Sequence, residues 1–228
     1  MDAIILAAGI GTRFGHPYPK ALAKLDTGQS IMQHQIEGLR RYIELHKIYV
    51  VVGFEKELIM EALPELIFIY NDRFDTTNTS KSLLQGLQKT RSHGCDVLWI
   101  NGDVVFDHRV IARIKNFNGS CMAVNVGPVG DEEVKYLTSD DGAISEVSKT
   151  LLEGLGEALG VNKIAGKDIS VLIKHLEQCD DFDYFEKGIE TAIEDGLHIF
   201  PVGVSDLLCT EVDFPEDLQR VNKELICH

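Results

Sequence analysis

The sequence predicts an α/β domain with a doubly wound, mostly parallel sheet, and three features carry this prediction. Apolar, β-branched segments alternate five times with segments of helical periodicity in the first 126 residues. The first apolar run, 3–8, ends in Gly9 and is typical of a strand that is buried on both faces. The chain has 228 residues, 44% of them hydrophobic, and is long enough to bury one such core.

The alternating half is predicted to span residues 1–126. Ser30 is a favourable N-cap residue for the first helix, and Thr79 or Ser80 is predicted to cap the third. The strands are predicted at 3–8, 47–53, 66–71, 96–101 and 121–126, and the helices after Ser30, at 55–63, after Ser80 and near 107–117.

After Gly127 the regular alternation of predicted strands and helices ends. The segments 132–137 and 143–148 flank a Ser-Asp-Asp-Gly turn, which predicts a β-hairpin. The remaining elements are predicted as helices near 167–178 and 183–195, strands at 197–203 and 208–213, and a helix from Pro215. No linker interrupts the chain, so we predict one domain over 1–228, with an elaboration at 127–213 and a C-terminal helix at 214–228.

The charge balance limits the partners. The formal net charge is -14 at pH 7, whereas a protein that coats nucleic acid or an anionic membrane needs a basic face. No apolar run approaches the roughly 18 residues that a membrane span needs, and the amino-terminal segment lacks a basic n-region. The five cysteines include no CxxC pair. We therefore expect a cytoplasmic protein with reduced cysteines that binds neither nucleic acid nor membranes.

The loop from Gly9 to Lys20 follows the first predicted strand, at the strand end where open α/β sheets bind ligands. Gly9 and Gly11 allow close backbone approach, and consecutive N–H groups can cradle phosphate oxygens. Arg13 and Lys20 add two cations in an acidic chain. A dinucleotide fingerprint is disfavoured because Phe14 stands where its third glycine belongs, and the Walker pattern is absent.

Three carboxylates stand near the ends of predicted strands. Asp103 follows the fourth strand, and Glu211 and Asp213 can share one face of a late strand. Such oxygen ligands suit Mg²⁺, which often takes one or two carboxylates plus phosphate oxygens. Simpler interpretations stay open: Asp103 could cap the following helix, and Glu216 and Asp217 fit the first turn of the last helix.

The amino-terminal segment reads Leu6-Ala7-Ala8-Gly9-Ile10-Gly11-Thr12-Arg13, followed by Pro19-Lys20. This pattern resembles the signature of the sugar-nucleotide pyrophosphorylase and cytidylyltransferase superfamily. The resemblance covers nearly the whole chain and implies a Rossmann-like nucleotidyltransferase fold in which the loop wraps the NTP phosphates and Arg13 and Lys20 are catalytic. The nucleotide-binding residues that it implies are Leu6, Ala7, Ala8, Gly9, Gly11, Thr12, Arg13, Lys20, Asn78, Ser82 and Gly102.

The same resemblance assigns the acidic residues to one metal site. Asp103 matches the metal-binding aspartate after the fourth strand, and Glu211-Val212-Asp213 matches a late element whose carboxylates hold the same ion. The resemblance therefore implies Mg²⁺ as the cofactor, bound by Asp103 and Asp213 with Glu211 as a further ligand.

The segment from Thr76 to Leu83 resembles one in small-substrate cytidylyltransferases, a branch that includes enzymes acting on phosphocholine and aminoethylphosphonate. It implies that Asn78 and Ser82 recognise a pyrimidine and that CTP is the donor. The alternative is local: Thr79 or Ser80 caps the helix, and Asn78 serves the preceding turn.

Two further residues are assigned to the acceptor. The resemblance places Lys149 at the acceptor phosphate, where it also has a catalytic role, and Glu186 at the acceptor headgroup. An exposed lysine without function is the alternative for Lys149. Leu207-Leu208-Cys209 lacks the aromatic residue that we expect in the phosphocholine branch, which leaves the acceptor open.

Together these features predict an Mg²⁺-dependent enzyme that moves CMP from CTP onto a small phosphate or phosphonate acceptor and releases pyrophosphate. The expected partners are the NTP and this acceptor, and a homodimer is left open. One alternative is a UTP- or dTTP-dependent sugar-1-phosphate nucleotidyltransferase. The other is a nucleotide-binding regulatory protein without turnover.

Overall fold

The computed structural model describes residues 1–11, 18–90, 94–127, 129–130 and 133–226 of the chain. The strands in these ranges are β1 (Asp2–Ala7), β2 (Ile48–Val52), β3 (Ile67–Tyr70), β4 (Val97–Asn101), β5 (Val104–Phe106), β6 (Ser120–Val124), β7 (Lys135–Thr138), β8 (Ile144–Ser148), β9 (Gly156–Ile164), β10 (Ile199–Gly203) and β11 (Cys209–Glu211). The α-helices are α1 (Ile31–Arg40), α2 (Lys56–Ala62), α3 (Thr79–Lys89), α4 (His108–Asn116), α5 (Ile169–Gln178), α6 (Phe185–Glu194) and α7 (Pro215–Ile226).

The central sheet has the strand order β10-β6-β9-β4-β1-β2-β3. Strand β1 pairs in parallel with β2 and β4, β2 pairs in parallel with β3, and β6 pairs in parallel with β10. Strand β9 is antiparallel to both of its neighbours, β4 and β6. The prediction of a mostly parallel sheet is therefore confirmed, and the exception lies in the middle of the sheet.

Helices cover both faces of this sheet, as a doubly wound fold requires. On one face, the buried cluster includes Met32 of α1, Ile59 of α2 and Ile111 of α4. On the other face, Leu83 of α3 and Leu172 of α5 pack against the sheet, together with buried residues of α6. In the part of the chain that the structure describes, no helix is both long and apolar enough to cross a membrane.

Strand β9 is not among the predicted elements, because polar residues interrupt the apolar pattern that predicts a buried strand. Asn162 and Lys163 are polar, yet both are almost completely buried. The Lys163 ammonium donates hydrogen bonds to the backbone carbonyls of Lys115 and Phe117, and it lies 3.7 Å from the Asp96 carboxylate. These distant partners compensate the burial of a charge, so a segment that resembles a surface loop occupies the centre of the sheet.

The cap predicted for α1 is confirmed, whereas the cap interpretations for α3 and α4 are not. Ser30 forms the predicted cap of α1 as a full capping box, and Asp107 caps α4, so Asp103 is not needed there. The prediction for α3 is wrong: Asn78 is its N-cap residue and accepts a hydrogen bond from the Thr79 N–H, at 2.8 Å. Asn78 has the extended backbone conformation of an N-cap, whereas Thr79 already belongs to the helix.

Candidate functional site

A cavity of about 570 Å³ opens at the carboxyl ends of β1 and β4. These two strands are parallel neighbours, so the segments that follow them lie at the same edge of the sheet. The segment after β1 contributes Gly9, Gly11 and Lys20 to the lining. Contributions from elsewhere in the chain are Asn101, Gly102, Asp103, Thr77, Asn78, Thr79, Lys149, Phe182, Tyr184, Glu186, Glu211 and Asp213.

A small two-stranded sheet brings the late acidic segment to this edge. Strand β11 pairs antiparallel with β5, so that Glu211 lies opposite Val104, directly after Asp103. The Val212 N–H extends the pairing with a 3.0 Å hydrogen bond to the Asp103 carbonyl. The expectation that Glu211 and Asp213 share a strand face is wrong, because β11 ends at Glu211; Asp213 nevertheless lines the same cavity.

Lys20 lies between two of the predicted carboxylates. Its Nζ atom is 2.6 Å from Asp103 Oδ2 and 2.7 Å from Asp213 Oδ1. Burial alone would lower the pKa of Lys20, but the Coulombic attraction of Asp103 and the hydrogen bonds to both carboxylates outweigh it and raise that pKa. The side chain is therefore a fixed positive charge at the end of the glycine-rich loop.

The Asp103 carboxylate retains binding capacity. Its Oδ1 atom is buried and accepts no hydrogen bond from the residues that the structure describes. A buried acceptor without a partner is costly, so this atom is available to a ligand that brings positive charge or a donor. No group of three potential metal ligands occurs within the described ranges, so Asp103 and Asp213, which share contact with Lys20, are the carboxylates closest to a metal site.

Glu211 is bound by Asn101, whose Nδ2 donates a 2.9 Å hydrogen bond to Glu211 Oε1. Burial, followed by repulsion from Asp103, raises the pKa of Glu211 to about 8. Asn101 also lines the cavity, although it was not among the site residues predicted from the sequence. Its position two residues before Asp103, at the end of β4, was the signal that could have identified it.

Gly160 of β9 makes room for this carboxylate. It has a φ of 66°, and a Cβ atom there would lie 2.6 Å from Glu211 Oε1 and 2.8 Å from Asn101 Nδ2. We expect Gly160→Ala to displace the hydrogen-bonded pair and to lower turnover about tenfold, because small displacements of site residues are costly. Gly142→Ala is the matched control, since Gly142 has a φ of 81° and open space around it. Equal turnover of the two variants, measured as pyrophosphate release, would contradict this role.

The predicted phosphate loop is partly described. Leu6, Ala7, Gly9 and Gly11 line the cavity, and Gly11 has a φ of 65° that favours glycine. Ala8 is not among the described lining residues; its carbonyl accepts a hydrogen bond from the Phe54 N–H.

Gly102, Thr12 and Arg13 are three further residues of the predicted nucleotide-binding set. Gly102 lines the cavity where a Cβ atom would approach the Leu6 carbonyl oxygen to 2.7 Å, so only glycine fits there. Thr12 and Arg13 lie outside the described residues, and their assignments stay predictions.

The two residues assigned to the base occupy different places. Asn78 lines the cavity at the start of α3. Ser82 is buried one turn further along, and its hydroxyl accepts a 3.1 Å hydrogen bond from Asn71 Nδ2. It is not among the described residues that line the cavity, so Ser82 supports this wall from behind rather than from within.

A second wall of the cavity carries the residues assigned to the acceptor. The Lys149 ammonium lies 4.9 Å from the centre of the Tyr184 ring, a cation–π arrangement that keeps the charge at the cavity. Phe182 and Phe74 also line the cavity, although neither was among the site residues predicted from the sequence. Phe182 belongs to the same segment as Tyr184, and its 72% exposure shows that it does not serve the core.

Glu186 is the second residue of α6 and lies near Lys149. Its Oε2 atom is buried and has no hydrogen-bond partner among the described residues. Burial raises the pKa of Glu186 to about 7, although the charge of Lys149 partly opposes this shift. The carboxyl group can therefore bind either as a donor or, next to a cation, as an anion.

The raised pKa of Glu186 makes the stability pH-dependent. Its usual pKa is 4.5 and its value in the folded chain is about 7, so ionisation opposes folding. The cost is absent below about pH 4.5, grows up to about pH 7 and stays constant above it. We expect the melting temperature of Glu186→Gln to exceed that of the wild type by about 3 °C near pH 8.5. Near pH 4.5 the two melting temperatures should be the same. The exposed Glu146→Gln is the control, and the same pH-dependent gain in that variant would contradict the assignment.

Comparison with known proteins identifies the family of this chain and several similar proteins. The family model of the MobA-like NTP transferase domain matches residues 3–159. The bifunctional protein GlmU of Methanococcus maripaludis is 31% identical over 186 residues, which cover 75% of this chain and 42% of that protein. The CMP-5'-(3-aminopropyl)phosphonate synthase of Streptomyces rubellomurinus is 24% identical over 243 residues, or 96% of this chain and 38% of that protein. The chain thus spans about two fifths of the length of these relatives.

Solved structures show the same fold at low sequence identity. The CTP:phosphocholine cytidylyltransferase of Streptococcus pneumoniae superposes with a TM-score of 0.81 at 18% identity, over 98% of both chains. The inositol-1-phosphate CTP transferase of T. maritima has a TM-score of 0.80 at 18% identity, over 97% of this chain and 93% of that one. Because the family model covers residues 3–159, more than half of the sequence, the chain belongs to the MobA-like NTP transferase domain family.

Proposed function

We propose that this protein moves a nucleoside monophosphate, CMP from CTP by preference, onto a small phosphate or phosphonate acceptor and releases pyrophosphate. The observation that carries the proposal is the placement of Lys20 between Asp103 and Asp213, at the end of the glycine-rich loop. Phosphoryl transfer depends chiefly on positioning and on neutralising the charge of phosphate oxygens. A fixed cation, two carboxylates and a close backbone approach supply these requirements in one cavity.

Each of these groups has a role toward the triphosphate. The N–H groups of the loop with Gly9 and Gly11 would bind phosphate oxygens, and the Lys20 ammonium would stabilise the charge that develops on the leaving pyrophosphate. Arg13 would add a second cation, as the superfamily resemblance implies. The acceptor oxygen attacks the α-phosphorus in line, and the reaction needs no covalent intermediate with the protein.

The carboxylates fit a bound Mg²⁺. Asp103 and Asp213 would hold the ion, and Glu211, which lines the same cavity, would be a further oxygen ligand. Two carboxylates suffice for Mg²⁺, which takes its other ligands from phosphate oxygens and water, and the buried Asp103 Oδ1 has the free acceptor capacity for it. When bound, the ion would neutralise part of the triphosphate charge.

The other wall would select the acceptor. The ammonium of Lys149 would bind the anionic end of the acceptor, and Glu186 would bind its other end. Two of the comparison proteins support CTP as donor and a small acceptor, because their names specify CTP:phosphocholine and a CMP-phosphonate. Asn78, at the cavity wall, is the residue we assign to the pyrimidine.

The alternative is a UTP- or dTTP-dependent sugar-1-phosphate nucleotidyltransferase. One observation favours it: a putative glucose-1-phosphate thymidylyltransferase of Bacillus anthracis has a TM-score of 0.77 at 16% identity, over 98% of this chain. The fold alone does not separate the two donors, so the separation must come from activity.

The deciding experiment measures pyrophosphate release with Mg²⁺ and each of ATP, GTP, CTP, UTP and dTTP. The acceptor panel contains phosphocholine, aminoalkylphosphonates and sugar 1-phosphates. Turnover with CTP and one of the first two acceptor classes supports the proposal, whereas turnover with UTP or dTTP and a sugar phosphate supports the alternative. Nucleotide binding in a thermal-shift assay without pyrophosphate release under any combination would contradict both and indicate a regulatory protein.

A further inference from the structure

Two walls of the cavity are joined by hydrogen bonds that nothing in the proposed chemistry requires. One wall is the start of α3, and the other is the segment 179–184 between α5 and α6. The Asn78 N–H donates to the Asp181 carbonyl at 2.8 Å, and Asn78 Nδ2 donates to the Phe182 carbonyl at 3.2 Å. The nucleotide-facing wall is therefore attached directly to the segment that carries the acceptor-facing aromatic residues.

Thr79 continues this attachment into α6. Its hydroxyl accepts a 3.0 Å hydrogen bond from the Phe185 N–H, at the first residue of that helix. Tyr184, the N-cap residue of α6, makes no capping bond through its own side chain. Thr79 of α3 thus caps α6 from outside that helix and holds its amino-terminal end, which carries Glu186.

Lys81 completes the set from the other end of the segment. Its ammonium donates hydrogen bonds to three backbone carbonyls at the end of α5: Leu176 at 3.2 Å, Glu177 at 3.4 Å and Cys179 at 2.5 Å. The last carbonyls of a helix lack intrahelical partners and carry the negative end of its dipole. A single cation that binds three of them fixes the point at which the chain leaves α5.

The position of this exit decides where the next residues lie. Phe182 and Tyr184 follow within five residues of Cys179, and both line the cavity. Lys81 itself is not among the described lining residues, and its side chain is partly buried against α5. It can therefore act on the cavity only through the segment that it holds.

We propose that Lys81 is a positioning residue for the acceptor-facing wall formed by Phe182, Tyr184 and Glu186. The identity of this wall as acceptor-facing rests on the function proposed above. The attachment itself does not, since it is made of contacts within the chain. The two parts can accordingly be tested separately, by a spectroscopic and a kinetic measurement.

The only tryptophan of the sequence provides the spectroscopic signal. Trp99 is buried in β4 and meets the ring of Phe185 edge-on, with 5.7 Å between the ring centres. Loosening the segment before Phe185 should admit a small quencher to Trp99. In Lys81→Met we expect the acrylamide Stern–Volmer constant to rise roughly twofold. Lys81→Arg, which keeps the cation, and Lys89→Met, an exposed position on the same helix, should stay at the wild-type value.

The kinetic measurement uses CTP, Mg²⁺ and either phosphocholine or 3-aminopropylphosphonate as acceptor. Lys81→Met should raise the KM for the acceptor about fivefold and leave the KM for CTP within about twofold, and Lys81→Arg should restore both. A quenching constant in Lys81→Met equal to the wild-type value, or an equal rise of both KM values, would overturn the proposal. If the wild type turns over neither acceptor, the proposed choice of acceptor fails, and the quenching measurement alone decides the role of Lys81.

Discussion

Replacing Asp103 by alanine is expected to lower the rate of pyrophosphate release by about tenfold or more. The carboxylate has two functions that are both lost: it pairs with the Lys20 ammonium at 2.6 Å, and its buried Oδ1 is the strongest candidate ligand for Mg²⁺. Without it, Asp213 is left as the other member of the adjacent pair, and Lys20 loses one of the two groups that orient it.

The control for this variant is Asp140→Ala. Asp140 is an exposed aspartate in the turn after β7, so its removal changes the net charge equally without touching the cavity. Circular dichroism and the thermal midpoint should show that both variants fold. Near-wild-type turnover of Asp103→Ala at saturating Mg²⁺ would refute its assignment to the metal, and with it the central part of the proposed function.

Replacing Lys20 by methionine should reduce turnover further, by a factor on the order of 100, as for the loss of one preorganised group that stabilises developing charge. Methionine has a similar length and no charge, so the variant removes the cation while filling much of the same space. The rate should be measured with saturating CTP, since the loss is expected in the transition state more than in nucleotide binding.

The same variant should behave differently toward metal ions. In the free protein, the Lys20 ammonium occupies the space between Asp103 and Asp213 and competes with a cation for their oxygens. Without nucleotide, Lys20→Met should therefore bind Mn²⁺, used as a paramagnetic probe for Mg²⁺, more tightly than the wild type does. Lys24→Met, at an exposed neighbouring position, serves as the control for both measurements. A loss of metal affinity in Lys20→Met would contradict this competition.

Lys20 also explains how the free protein accommodates three carboxylates at one sheet edge. Asp103 and Asp213 share its charge, while Glu211, with a pKa of about 8, retains its proton through most of the neutral range. Like charges that meet in a buried place require either a counter-ion or protonation. The site uses both, as expected of a cavity that would receive the proposed complex of Mg²⁺ and NTP.

Much of the fold could be predicted from the sequence, because the signals are local. The apolar run of β1 and the glycine that follows it are contiguous in the chain. The Ser30 cap depends on Gln33, three residues away, and Asp107 caps α4 within two residues. Periodicity and capping of this kind need no knowledge of distant contacts. The conflict at α3, where Asn78 and not Thr79 is the cap, is a difference of one residue in the helix boundary.

Strand β9 and the acceptor wall show where local patterns fail. Lys163 is acceptable inside the sheet only because carbonyls near residue 116 surround its ammonium. The role of Ser82 likewise depends on Asn71, whose side chain donates a hydrogen bond to the Ser82 hydroxyl and holds it behind the cavity wall. Phe182 was not selected because its exposure and its neighbours depend on contacts with α3, more than 100 residues away in the chain.

The sequence by itself determined that this is an α/β domain of alternating strands and helices, with a glycine-rich loop and with acidic residues at strand ends. Each of these properties depends on residue types at short spacing. The tertiary structure alone decided that Lys20 stands between Asp103 and Asp213, which are 110 residues apart in the chain. It alone decided that Glu186 has lost enough water to raise its pKa to about 7. Pairing across such separations and exclusion of water are properties of the folded packing, and a linear pattern contains neither.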